Sequence, residues 1–204
     1  TLTTTKFAGA LNGTVGATTP STVVATSVTN SGLTSGRVTY AGASGLLTDS
    51  ANLLYSGTDL TVYGLTVGRG GGSNTYNTAV GNLALQANST GSNNTAIGYN
   101  TSYYQTGSYN TAVGRTALYL NTIGSNNTAV GFAALYTNTT GGNNTAFGYQ
   151  SLPVNTIGSN NTALGYFSLR YNVIGSSNAA VGFETLYNNT TNNNSAFGYR
   201  ALRA

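Results

Sequence analysis

Three side chains in this sequence carry a carboxylate: Asp49, Asp59 and Glu184. Two carboxylates held within about 10 Å of each other would suit glycoside hydrolysis. Asp49 and Asp59 precede the repeats described below, and Glu184 stands by itself in its copy, so no pair is presented. Histidine and cysteine are absent. That removes the usual neutral-pH base and the thiolate nucleophile, and with them disulfide or thiolate–metal frameworks. The glycine run Gly68-Arg69-Gly70-Gly71-Gly72 lacks the lysine and the following helix of a phosphate-binding loop. Calcium-binding nonapeptide rolls need recurrent aspartate, which the repeats do not contain. The reading is a chain that is not an enzyme and needs no cofactor or metal.

What remains is aromatic, amide and hydroxyl chemistry arranged in columns. One aromatic column is Tyr99, Phe132, Tyr149, Tyr166, Phe183 and Tyr199, interrupted by Asn82 and Arg115. Such rings can stack on sugars, but the mixture of Phe with Tyr favours packing, because Phe has no polar handle. A second set, Tyr103, Tyr119, Tyr136 and Tyr187, shares its column with Pro153 and Arg170. It reads as the more exposed set and the better candidate for weak receptor contacts. The asparagines Asn77, Asn94, Asn110, Asn127, Asn144, Asn161, Asn178 and Asn194 read as a coil-to-coil amide ladder. Asn93, Asn126, Asn143 and Asn160 open N-x-T patterns that turn chemistry explains without glycosylation. A threonine-rich ice-binding face would want T-x-T in every coil, and within the repeats that spacing occurs only at Thr137 and Thr139.

These columns exist because the chain repeats. The signature N-[TSA]-A-[VIFL]-G, as in Asn127-Thr128-Ala129-Val130-Gly131, closes on Gly81, Gly98, Gly114, Gly131, Gly148, Gly165, Gly182 and Gly198. The spacings are 17, 16, 17, 17, 17, 17 and 16 residues, a period that announces a repeat architecture. A leucine follows four residues after the closing glycine at Leu85, Leu118, Leu135, Leu152, Leu169, Leu186 and Leu202, with Ser102 the exception. A second glycine recurs at Gly91, Gly107, Gly124, Gly141, Gly158 and Gly175. Asn, Thr, Gly, Tyr and Val favour strands and turns over helix. The fold is therefore all-β, a parallel β-roll or β-solenoid of about eight 17-residue coils. Each coil is expected to hold two strands: Asn-Thr-Ala-Val-Gly-Phe, and a second around Ala134-Leu135-Tyr136. Alternation sets Thr128, Val130 and Phe132 on one face and Asn127, Ala129 and Gly131 on the other.

Residues 1–72 do not repeat and read as an extended β shaft, with strands at Ser21 to Thr29, Arg37 to Tyr40, Leu53 to Tyr55, Asp59 to Tyr63 and Leu65 to Val67. Gly64 marks a bulge or kink, and the glycines at 68–72 a flexible joint. Residues 73–204 form the roll. The net charge is +4 from seven isolated cations, which gives no nucleic-acid footprint, and no apolar run is long enough to span a membrane. A start at Thr1 with no signal pattern reads as a fragment or a processed chain.

Neither face of the first strand suits water. One face therefore lines the roll and the other meets a partner, and a homotrimer would supply that partner while covering strand edges. The N-T-A-[VI]-G pattern resembles the head repeat of trimeric autotransporter adhesins, which implies a left-handed parallel β-roll with three chains to a head. Leu11 to Pro20 (LNGTVGATTP) resembles segments of bacteriophage tail-fibre proteins, and Asn143 to Leu152 (NNTAFGYQSL) is similar to phage-fibre repeats. Together these imply a structural segment of a virion tail fibre or spike, supporting host attachment and joined to other tail or baseplate proteins. A host glycan or protein is a further possible partner. The alternative is a bacterial surface adhesin head that binds a matrix or cell partner.

Overall fold

The computed structural model describes residues 37–41, 47–55, 59–62, 65–72, 74 and 76–203. The strand expected at Ser21 to Thr29, the segment Leu11 to Pro20 and Gly64 lie outside these residues. Residues 33–204 form one compact unit. The described residues contain no helix and one 12-stranded sheet. Four strands open it as an antiparallel meander: β1 (Arg37–Ala41), β2 (Leu47–Tyr55), β3 (Leu60–Val62) and β4 (Leu65–Gly68). Strand β4 then pairs antiparallel with the first repeat strand, β5 (Thr78–Val80).

From there the chain is a parallel β-solenoid. The repeat strands are β5, β6 (Thr95–Ile97), β7 (Thr111–Val113), β8 (Thr128–Val130), β9 (Thr145–Phe147), β10 (Thr162–Leu164), β11 (Ala179–Val181) and β12 (Ser195–Phe197). Each pairs in parallel with the next, so that Thr128 sits against Thr145, Ala129 against Ala146 and Val130 against Phe147. A slip of one residue would turn every side chain to the opposite face; the recurring alanine and glycine hold the register.

The small face of the strand is the inside. Ala79, Ala96, Ala112, Ala129, Ala146, Ala163 and Ala180 are wholly buried, while the Thr and Val positions beside them point outward. The leucine column joins this core: Leu85, Leu118, Leu135, Leu152 and Leu169 are fully buried, and within the column only Leu202, in the last coil, is exposed. Of the large apolar positions in each coil (the residue before the closing glycine, the aromatic after it and the leucine), therefore, only the leucine is interior. A coil of 17 residues has room for alanine, leucine and asparagine, and the larger strand residues are left outside.

The expected second strand is absent. Ala134-Leu135-Tyr136 lies in a turn, with Ala133 at φ 48° and Leu135 at φ 50°. The same left-handed geometry recurs at Leu118, Leu152, Leu169 and Leu186. It costs an L-residue about 1–2 kcal/mol. Burying the leucine returns about 1.5–3 kcal/mol, and its amide is engaged as well: Leu135 N–H donates to Ser151 O at 3.0 Å in the next coil. Ala133 N–H donates to Arg115 O at 3.0 Å in the coil before. Alternating left-handed residues thus aim successive amides at opposite neighbours, and the corner is tied on both sides.

Candidate functional site

Two asparagine columns run through the interior. The expected one is a ladder: Asn144 N–H donates to Asn127 Oδ1 at 2.9 Å, and Asn127 Nδ2 donates to Gly141 O at 2.9 Å. A second column, Asn88, Asn121, Asn138, Asn155 and Asn172, is equally buried. Asn138 Nδ2 donates to Gly141 O at 2.7 Å and to Asn121 Oδ1 at 2.6 Å, and Asn155 Nδ2 donates to Asn138 Oδ1 at 2.8 Å. The signal for it was its own 17-residue period three places before the second glycine. In the 16-residue coil Gln105 fills this column with one more methylene, reaching Asn94 Oδ1 at 2.7 Å and accepting from Asn121 at 3.2 Å. The run ends at Asn172, whose buried Oδ1 has no partner, because Asn189 one coil on directs its amide to Thr191 O. Asn93, Asn126, Asn143 and Asn160 take left-handed φ between 57° and 60°, the turn role read from their N-x-T patterns. The second glycines serve close approach instead. At Gly124 a Cβ would meet Asn121 Oδ1 and Gly141 O.

The outer surface carries the aromatic columns, and their exposure reverses the expectation. The column after the closing glycine is the exposed one: Tyr99, Tyr149 and Tyr166 are more than 40% accessible. Tyr103, Tyr119, Tyr136 and Tyr187 are half-buried. The first column is stacked on itself. Phe132–Tyr149, Tyr149–Tyr166 and Tyr166–Phe183 all have centroids 5.1 Å apart with planes within 15°, and Tyr199 continues the stack at 5.3 Å. Neighbouring rings occupy the ring faces, so solvent meets edges and hydroxyls, and a sugar has few faces to stack on. Arg115 bridges the gap in the column, its guanidinium 5.7 Å from the Tyr99 ring and 5.8 Å from Phe132. In the second column Tyr119 stacks on Tyr136 at 5.2 Å. Burial beside Tyr104 and Tyr136 pushes the Tyr119 phenol above its usual range.

Glu184 and Asp59 are both engaged structurally. Glu184 receives Arg200 Nε at 2.9 Å and Arg203 Nε at 2.6 Å on one oxygen. Burial pushes its carboxyl up, but the hydrogen bonds and charges of Arg203 and Arg200 outweigh that and hold it below 4.5. Asp59 accepts from Arg69 N–H at 2.6 Å. The Asp49 side chain lies outside the described residues; its backbone sits in β2 opposite Thr39. The glycines at 68–72 lie against the first coil, where Gly71 N–H donates to Leu85 O at 2.8 Å.

The closing glycines stack from coil to coil. Gly148 has φ 136°, and a Cβ there would stand 2.5 Å from Gly165 O and 2.7 Å from Gly165 C. Between the two aromatic columns lies a groove of about 500 Å³, lined by Arg115, Thr137, Tyr136, Gln150, Pro153 and Arg170 among others. Comparison with family models, with curated proteins and with solved structures finds no match.

Proposed function

We propose that this chain is a homotrimeric structural segment of a virion tail fibre or spike, holding a host-attachment element away from the particle. The observation that carries the reading is the outward face of the parallel sheet. Ile97, Phe147, Leu164 and Phe197 are 40%, 52%, 43% and 83% accessible, in register with Val80, Val113, Val130 and Val181. Eight strands at ~4.8 Å, each presenting about four residues with its aromatic, make a band on the order of 500 Å². A patch of this size is near the upper end of what a monomer exposes, and such patches are often interaction surfaces. A second and third copy of the same chain would cover it, and the coil-to-coil amide ladders would make the shared rod stiff.

A bacterial surface adhesin head is the second reading. Its support is that the N-T-A-V-G signature lies on a parallel solenoid, as the resemblance to adhesin heads implies. Sedimentation of the full chain tests the assembly. A trimer that Val130→Asp and Leu164→Asp convert to a folded monomer is the expected result; a wild-type folded monomer would remove the reading. Electron micrographs of a thin fibre favour the virion, and a rounded head favours the adhesin.

A further inference from the structure

The groove between the aromatic columns carries chemistry of its own. Arg200 and Arg203 share Glu184, whereas among the described residues Arg115 and Arg170 have no carboxylate partner. Their guanidiniums are instead held by neutral groups. Arg115 lies between Tyr99 and Phe132; Arg170 sits 4.4 Å over the Phe167 ring and donates through Nη1 to Gln150 Oε1. Both line the same groove. Three coils separate them, about 14 Å along the axis.

The groove exists because Pro153 occupies a position that is tyrosine in the coil before, at Tyr136. Proline is tolerated there because the amide of this position donates to no backbone carbonyl at Tyr103, Tyr119, Tyr136, Arg170 or Tyr187. Its small ring leaves open the space a third stacked tyrosine would fill. Between the two cations the lining is neutral: the Tyr136 and Thr137 hydroxyls, the Gln150 amide and the Pro153 ring.

We propose that this groove binds a short acidic oligosaccharide, with Arg115 and Arg170 each taking a sugar carboxylate and the hydroxyl and amide groups between them meeting the sugar hydroxyls. A planar guanidinium fork matches a carboxylate bidentately, and cations pre-oriented by ring contacts lose little freedom on binding. Two isolated cations flanking a polar, uncharged stretch suit a polymer with spaced charges. They do not suit nucleic acid, whose backbone would call for a continuous basic stripe. The groove shares Arg115 and Phe132 with the aromatic edge of the band proposed to face the other copies, so the assignment rests on that reading to the extent that this edge stays open in the assembly.

The test is calorimetric titration of the full chain with a galacturonic-acid oligomer and with its carboxyl-reduced counterpart. The acidic oligomer should bind and the reduced one should not. Arg115→Gln and Arg170→Gln should each weaken binding about tenfold or more, the worth of one charge-assisted contact. Arg69→Gln, which removes the same charge elsewhere, should leave it unchanged. Pro153→Tyr should abolish binding by filling the groove while preserving the melting profile, and it tests the site even if an arginine variant unfolds. Absence of binding, equal binding of the reduced oligomer, or indifference to Pro153→Tyr would overturn the site. Tighter arginine-dependent binding of polyglutamate or single-stranded DNA would overturn the ligand class.

Discussion

Replacing Gly148 by alanine tests the way the coils are stacked. At φ 136° the backbone there is in a region that an L side chain rarely adopts, at a cost of about 1–3 kcal/mol. The added Cβ would also lie 2.5 Å from Gly165 O and 2.7 Å from Gly165 C. Backbone atoms cannot swing aside as a side chain can, so the next coil must shift, for about 1–3 kcal/mol more. The sum, about 2–6 kcal/mol, is a large part of the 5–15 kcal/mol that typically holds a domain together. Gly198 separates the two contributions. It shares the positive φ, at 119°, but has no atom within 4 Å of its Cβ position, so Gly198→Ala meets only the first cost. Gly148→Ala should therefore be the more destabilising by about 1–3 kcal/mol, or roughly 2–12 °C in melting temperature for a chain of this size. Stability in a solenoid is approximately a sum over coils and their interfaces, so the damage should be local. Urea unfolding followed by circular dichroism measures the difference, and hydrogen exchange locates it, for instance at Gly165 N–H, which donates to Phe147 O at 2.8 Å. Equal effects of the two substitutions would refute the argument that the closing glycines exist for close backbone approach.

Further outcomes follow from the core and the terminal coil. Asn138→Ala should cost about 1–3 kcal/mol in urea unfolding, because it takes the Asn138 donor from the buried Asn121 Oδ1 and one of two partners from Asn155 Nδ2 and from the Gly141 carbonyl. Asn189→Ala, one coil beyond the end of that run, should cost less. Leu135→Ala should lose about 2–5 kcal/mol, the usual toll for emptying a buried leucine site, and thermal melts would record it; a change under 1 kcal/mol would mean the leucine column is not core. Glu184 contributes stability that is present above pH 4.5 and lost as pH falls below it through the lowered folded value. The protection factors of amides near Arg200 and Arg203, corrected for intrinsic exchange, should therefore fall below that pH, and Glu184→Gln should flatten the dependence.

Much of this molecule was legible in its sequence because a repeat reports its own geometry. The 17-residue period fixed the parallel register, since identical residues stack on identical residues. The eight glycines marked where coils touch, and Asn77 to Asn194 marked the interior ladder. Strands β3 and β4 were visible as short alternating runs from Asp59 to Val67, whereas of β2 (Leu47–Tyr55) only Leu53 to Tyr55 was legible. What the period could not decide was direction. Alternation at Thr128-Ala129-Val130 says that two faces differ, not which of them is inside. Only the tight curvature of a 17-residue coil turns alanine inward and leaves valine, phenylalanine and tyrosine outside. Leucine carries no local preference for a left-handed backbone, so the corner at Ala133 and Leu135 appeared as a strand until the flanking coils claimed its amides from both sides. For the same reason the two aromatic columns exchanged exposure: it is set by the corner they stand on, not by residue type. The groove between Arg115 and Arg170 belongs wholly to the tertiary structure, because it brings together residues three coils apart around a single proline.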